Sequence, residues 1–234
     1  MKKLLLITAC MLVAAVVNSQ TLEEIVKKYS SANKLDQISN FKTIKITGKM
    51  SMMGMELPME IWMKSPTKIK SVTSMNGQDI IQVFDGTKGY MINPMAGSAT
   101  PTEMDKESVG SLLRSNLFQN YMATYLKEGK LSLEPEEAVN GVACFKLKTI
   151  AEGGAEVYMF IDKSTYLLVK NTANVMSQGA PVTVESFPSD YKDFNGILLP
   201  TKTTTSASGM EFVLEFTNVE VNIPMDDSIF TVKL

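Results

Sequence analysis

A serine followed three residues later by a lysine is a spacing used by one group of nucleophilic hydrolases, and it occurs here at Ser31–Lys34, Ser39–Lys42, Ser65–Lys68 and Ser189–Lys192. In those enzymes the serine heads a buried helix and a Lys-Thr-Gly segment completes the site. The chain has no Lys-Thr-Gly, and Ser65 precedes Pro66 in a turn between strands, so the repeats read as chance. The chain also has no histidine. That excludes Ser-His-Asp and Cys-His nucleophile systems, histidine general bases and histidine-ligated zinc. Carboxylates gather at Glu134, Glu136 and Glu137, and again at Asp226 and Asp227, in segments that read as loops. Neither group has the spaced oxygen ligands of a calcium loop, and both read as solvated turn residues. Cys144 shares strand parity with Lys146 and Lys148, and nothing beside it in sequence would lower its thiol pKa. These residues call for no catalytic group, no metal and no cofactor.

The positive signal is apolar. Six methionines fall within the fourteen residues Met50 to Met63, around Gly54. After the glycine, Met55, Leu57, Met59, Ile61 and Met63 take every second position, with Glu56, Glu60 and Lys64 between them. Before it, Ile44, Ile46, Met50 and Met52 alternate with Lys45, Thr47, Lys49 and Ser51, interrupted by Gly48. A period of two is a strand period, so the segment reads as a hairpin turning at Met53-Gly54 with one thioether-lined face. Two readings follow: an ordinary sheet core, or a wall for a ligand of variable shape, which flexible, polarisable methionine accommodates well. In the second reading Ile46, Met50, Met52, Met55, Leu57, Met59, Ile61 and Met63 line a hollow suited to acyl chains, while Trp62 faces away. Each buried methylene would contribute about 0.8 kcal/mol.

Composition bounds the setting. Lys2 and Lys3 followed by the apolar run Leu4 to Val17 read as a signal peptide over residues 1–19, with cleavage before Gln20. Cys10 bisects that run, whereas an acylated cysteine should end it, so a soluble exported protein is expected rather than a lipid-anchored one. Losing Lys2 and Lys3 moves the net charge from −2 to −4, which offers no footprint for nucleic acid. Cys144 would be the only cysteine left, so no internal disulfide is available and stability must come from the core.

The remaining elements must position the methionine wall. Thr21 to Glu24 is a capping box that opens an amphipathic helix through about Ala32, with Leu22, Ile25, Val26 and Tyr29 as its stripe. Strands separated by Asn76-Gly77 and Asp85-Gly86 turns follow the hairpin. Asn93 to Thr102 reads as a loop and 104–127 as helical, with Val109, Leu112, Leu113, Leu117, Tyr121 and Tyr125 as packing positions. From Leu131 the strand pattern resumes to a short last strand at Phe230–Val232. Residues 20–234 thus predict a single, mainly β domain of ten or eleven antiparallel strands, curled into a partial or complete barrel with a few helices.

In order along the chain, ITGKMSMMGMELPMEIWMKSPTKIKS, VFDGTKGYMINP, DFNGILLPTK and NIPMDDSIF resemble the exported LolA/LolB-like outer-membrane lipoprotein-sorting family. The resemblance implies a strongly curved, incomplete barrel of about eleven strands with helices covering its concave face. It implies a monomeric periplasmic carrier that takes lipoprotein acyl chains, or another lipid, from an inner-membrane donor to an outer-membrane acceptor without covalent chemistry. Leu113, Leu117 and Tyr121 would then belong to the lid. The alternative is a non-carrier envelope scaffold or partner-binding module built on the same fold. One departure stands out: carriers of the family latch the lid with an early-strand arginine, whereas the only arginine here is Arg114. The leader reading is checked by intact mass of the exported protein. We expect a chain that begins at Gln20 and carries no lipid; a chain that begins at an acylated Cys10 would contradict it.

Overall fold

The computed structural model describes residues 20–151, 154–177 and 180–232. The leader with Cys10, Gly153 of the Gly153-Gly154 turn, and the Gln178-Gly179 turn lie outside the described residues. The first helix is α1 (Leu22–Ala32), whose Thr21 hydroxyl accepts from the Glu24 N–H while the Glu24 carboxylate accepts from the Thr21 N–H. Strands β1 (Thr43–Met52), β2 (Met55–Lys64), β3 (Lys68–Met75), β4 (Gln78–Phe84), β5 (Gly89–Asn93) and β6 (Ser98–Glu103) come next. Two short helices, α2 (Lys106–Arg114) and α3 (Tyr121–Lys127), interrupt the strands. Then come β7 (Leu131–Val139), β8 (Val142–Ile150), β9 (Glu156–Asp162), β10 (Leu168–Ser177), β11 (Ala180–Phe194), β12 (Ile197–Ala207) and β13 (Met210–Val221).

All thirteen strands form one antiparallel sheet in the order β6-β5-β4-β3-β2-β1-β13-β12-β11-β10-β9-β8-β7. It does not close, so the architecture is an incomplete barrel with helices packed on one face, here termed the inner face. The strand count exceeds the expected ten or eleven, and two stretches are more strand-like than the sequence reading has them. Part of the presumed loop after Asn93 is β6, which pairs through Thr102 with Met91. Glu134, Glu136 and Glu137 lie on β7, a full edge strand rather than a loop, where Glu136 and Glu137 pair with Lys163 and Lys146. A charged edge strand containing Pro135 looks like a loop in sequence and resists edge-to-edge association in the fold. Conversely, the expected strand at Phe230–Val232 is replaced by a 3₁₀ turn, Asp227–Phe230, capped by Asp226. Its Phe230 is buried, and Asp227 pairs with Lys64 and Lys68.

The hairpin turn has positive φ at both central residues, 51° at Met53 and 78° at Gly54. That geometry matches the right-handed twist of the flanking strands. On β1 a bulge between Thr47 and Gly48 shifts the register against β13. Gly48 is required there because a Cβ would stand 2.3 Å from the Glu215 carbonyl oxygen.

Among the described residues the core has two inner clusters and one outer. Ile25, Val26 and Tyr29 of α1 cover Phe145, Leu147 and Ile161 on β8 and β9, together with Met122 of α3. At the other end of the sheet, β1 to β4 and β12 to β13 meet α2 and the segment after it. On the outer face, Cys144 packs with Val139 and Phe160, and burial pushes its thiol pKa up, as befits an inert structural cysteine. Lys146 sits 5.0 Å from the Tyr158 ring and 5.4 Å from the Phe160 ring, and Lys170 bridges Phe160 and Phe187 at 5.6 and 5.3 Å. These stacked cations let outer-face aromatics stay beside water.

Two outcomes test this description. Gly48→Ala should destabilise the protein by about 1–3 kcal/mol, because β13 backbone must move to admit the methyl group; thermal denaturation measures it. Burial raises Tyr29 to about 12 and pushes Tyr191, whose hydroxyl donates to the Leu168 carbonyl at 3.0 Å, upward as well. The unfolded chain loses those protons near the ordinary tyrosine value while the folded chain retains them, so stability falls as pH rises above about 10. Melting curves should hold level through neutral pH and drop in that range, and Tyr29→Phe should lessen the drop.

Candidate functional site

The parity of β2 divides its side chains between the two faces. Leu57, Met59, Ile61 and Met63 are buried on the inner face, opposite Met50, Gly48, Ile46 and Ile44 of β1 respectively. Glu56, Glu60 and Trp62 take the outer face. There Glu56 pairs with Lys49, Glu60 with Lys45 at 3.1 Å, and the Trp62 ring lies between Lys45 and Lys70 at 5.4 and 5.7 Å.

Along its length the hairpin meets two different surroundings. At the Lys64 end it is filled. Ile44, Ile46, Met63 and Ile69 are at most 1% exposed, beneath Leu112, Leu113, Leu117 and Phe118. The Leu117 N–H lies 3.4 Å from the Met63 sulfur. Buried Asn116 fixes this segment by donating to the Pro66 carbonyl at 3.3 Å and accepting from the Phe118 N–H at 2.9 Å.

Toward the hairpin tip the contact opens into a groove of about 540 Å³ between α2 and the sheet. Met50, Met59, Ile61, Phe212 and Leu214 form its apolar floor, on the adjacent strands β2, β1 and β13. Ser71 and Thr73 of β3 with Gln82 of β4 border it on one side, and Thr203 and Thr205 of β12 on the other. Helix α2 contributes Leu112, Ser108 and Ser111, and its C-cap residue Ser115 adds a third serine. Spacings of three and four put those serines on one helix face. None of the described residues lining the groove is charged. Its volume falls within the usual range for small-ligand sites, about 300–1,000 Å³.

The sequence-derived wall therefore separates. Met50, Met59 and Ile61 line the groove, Met59 and Ile61 as buried members of the same core cluster, whereas Ile46 and Met63 belong to that core without lining the groove. Leu57 is buried beside Met50 without lining the groove. Met52 and Met55 pair across the hairpin tip, and Met55, 38% exposed, projects into solvent there. In the lid, Leu112 rather than Leu113 reaches the groove, while Leu117 belongs to the filled half. Tyr121 is not over the groove; its hydroxyl donates to the Leu113 carbonyl, and it lines a separate cleft between α2 and α3. The hydroxyl borders and the floor residues Phe212 and Leu214 escaped the sequence reading. Alternation of Phe212 with Leu214 and of Thr203 with Thr205 was the available signal, but pairing of β1 with β13 across some 170 residues was not.

A second cleft, about 820 Å³, runs along α1 past Gln20, Glu24, Lys27, Lys28 and Tyr166. Its lining is charged, and the Tyr166 hydroxyl is already held by Lys28 at 3.1 Å and Gln20 at 2.9 Å. It is a poor home for an acyl chain.

Solved structures share this fold. A DUF1329 family protein from Desulfovibrio piger superposes with a TM-score of 0.59 at 16% identity, covering 88% of this chain and 97% of that one. A LolA superfamily protein from Nitrosomonas europaea gives 0.59 at 13% identity, covering 91% and 98%. The fold is LolA-like. A provisionally assigned outer-membrane lipoprotein-sorting protein domain from Vibrio parahaemolyticus shares this LolA-like fold, with a TM-score of 0.60 at 12% identity, covering 89% and 95%. No protein-family model matches the sequence, and neither does any curated protein. At these identities the LolA-like likeness is one of architecture.

Substitutions at the two ends of the hairpin should separate filled core from open groove. Met63→Ala should cost about 2–5 kcal/mol, as expected of a fully buried side chain, and Met50→Ala less than about 1 kcal/mol. Chemical denaturation of both variants measures the difference.

Proposed function

We propose that this protein is a periplasmic carrier that holds acyl chains of lipoproteins, or of another lipid, in the groove beneath α2 and delivers them toward the outer membrane. The observation that carries the reading is the apolar floor of Met50, Met59, Ile61, Phe212 and Leu214, over which a groove remains beside a helix although Met59 and Ile61 are themselves largely buried. Methionine at two of those positions suits chains of varied length and unsaturation. The LolA-like fold supports the same reading, since one structural relative is described as lipoprotein-sorting.

Loading is transfer without bond making or breaking, and the protein is not an enzyme in this reading. Residues 1–19 direct export, and residues 20–234 act as one half-barrel domain between an inner-membrane donor and an outer-membrane acceptor. Helix α2 is the gate. It turns Ser108, Ser111 and Ser115 toward the groove, while Val109, Leu112 and Leu113 are its apolar contacts with the core. Local opening of this kind requires only part of the global unfolding free energy. Val109 seats the helix on the sheet, where a Cβ added at Gly89 would stand 2.5 Å from Val109 Cγ2.

Native mass spectrometry of protein purified without detergent tests the proposal. We expect acyl-bearing species bound to the wild type and lost from Ser111→Trp, which plugs the groove from an exposed helix position. A wild type that is empty and takes up no lipid from vesicles would overturn the carrier reading. It would leave a partner-binding module on the same fold.

A further inference from the structure

The groove's borders say more about the cargo than its floor does. In sheet order, Gln82, then Ser71 and Thr73, lie on one side of the apolar strip, and Thr203 and Thr205 lie on the other. The strip between them is three strands wide, about 10 Å from centre to centre, wide enough for one or two hydrocarbon chains. Above it hang Ser108, Ser111 and Ser115. Two of these hydroxyls are committed within the protein: Thr205 to Ser186 at 2.9 Å and Ser115 to the Leu112 carbonyl at 2.6 Å. The side chains of Ser71, Thr73, Gln82, Ser108, Ser111 and Thr203 make no hydrogen bond to protein among the described residues. They present both donors and acceptors, and among the described lining residues there is no lysine or arginine to meet an anion and no carboxylate to meet a cation.

We propose that the groove selects amphiphiles with an uncharged, hydrogen-bonding head, of the acylglycerol ester type, over free fatty acids and charged lipids. The inference rests on the carrier reading above and names its cargo class. Ester carbonyls and glycerol hydroxyls match Thr73, Ser71 and Gln82 on one border and Thr203 on the other, while the chain lies along Met59, Ile61 and Leu214. A carboxylate drawn into the same place loses water and meets no counter-charge among the described lining residues, a cost that neutral hydroxyls repay only in part. A head group held on a short row of hydroxyls is also released readily, because each such bond is worth about 1 kcal/mol.

Equilibrium dialysis of the wild-type protein against radiolabelled monopalmitoylglycerol and radiolabelled palmitate, at about pH 8 where palmitate is ionised, tests the proposal. We expect the glyceride to bind at least about tenfold more tightly at equal chain length. The double variant Thr73→Val, Thr203→Val conserves side-chain shape and should weaken glyceride binding by about five- to thirtyfold while leaving palmitate within about twofold. Palmitate binding as tightly as the glyceride, or a double variant that weakens both equally, overturns the selectivity and leaves the carrier reading standing. Binding of neither lipid overturns both.

Discussion

A slip of one residue in the pairing of β1 with β2 would turn Glu60 and Trp62 beneath the helices and carry Met59, Ile61 and Met63 out to water, because side chains on a strand alternate strictly between faces. The register Ile46 opposite Ile61 and Met50 opposite Leu57 prevents this, and several features hold it. The two-residue turn at Met53-Gly54 sets the strand offset. The ion pairs of Lys45 with Glu60 and Lys49 with Glu56 sit across the pair on the outer face. Each exposed pair is worth little by itself. Burial of the opposite face supplies the main restraint, and the pairs merely agree with it.

From that register the rest of the site follows. Inner-face parity propagates from β2 through Thr73 and Ser71 to Gln82 on one side, and through Met50 and Leu214 to Thr203 on the other. The resulting surface is apolar in its middle strands and hydroxylic at its margins. The helices then divide it. The segment around Asn116 and Leu117 seals the Lys64 end, while α2 crosses the tip end on a serine face and leaves space. Stability and accessibility are thus assigned to different ends of one hairpin. A fully packed hairpin would have no room for cargo, and a fully open one would forfeit the core that anchors β1 and β2.

The methionine parity was legible in sequence because β2 alternates without a break from Met55 to Met63. So were the capping box of α1 and the antiparallel, mainly β architecture, whose turns are signalled locally. What stayed hidden was long-range or ambiguous. Thr203 and Thr205 look like ordinary strand residues, since threonine favours strands anyway, and only the β12–β13–β1 pairing brings them to the methionines. Leu112 and Leu113 are adjacent leucines on a helix of nine residues, where a 100° rotation separates groove from flank and sequence alone does not choose. Glu134, Glu136 and Glu137 imitate a loop because an exposed sheet edge is protected by the residue types that loops favour.

In the proposed carrier, cargo lies against the tip half of the hairpin and not the Lys64 half. Methyl NMR on protein labelled at methionine reads this directly, since Met50 and Met59 report the groove, Met63 the filled core and Met53 the solvent-exposed turn. Titration with monopalmitoylglycerol should shift the Met50 and Met59 methyl resonances strongly, move Met63 little and leave Met53 in place. Unmoved Met50 and Met59 resonances, or shifts confined to methionines outside the groove, would mean that the groove does not hold the lipid.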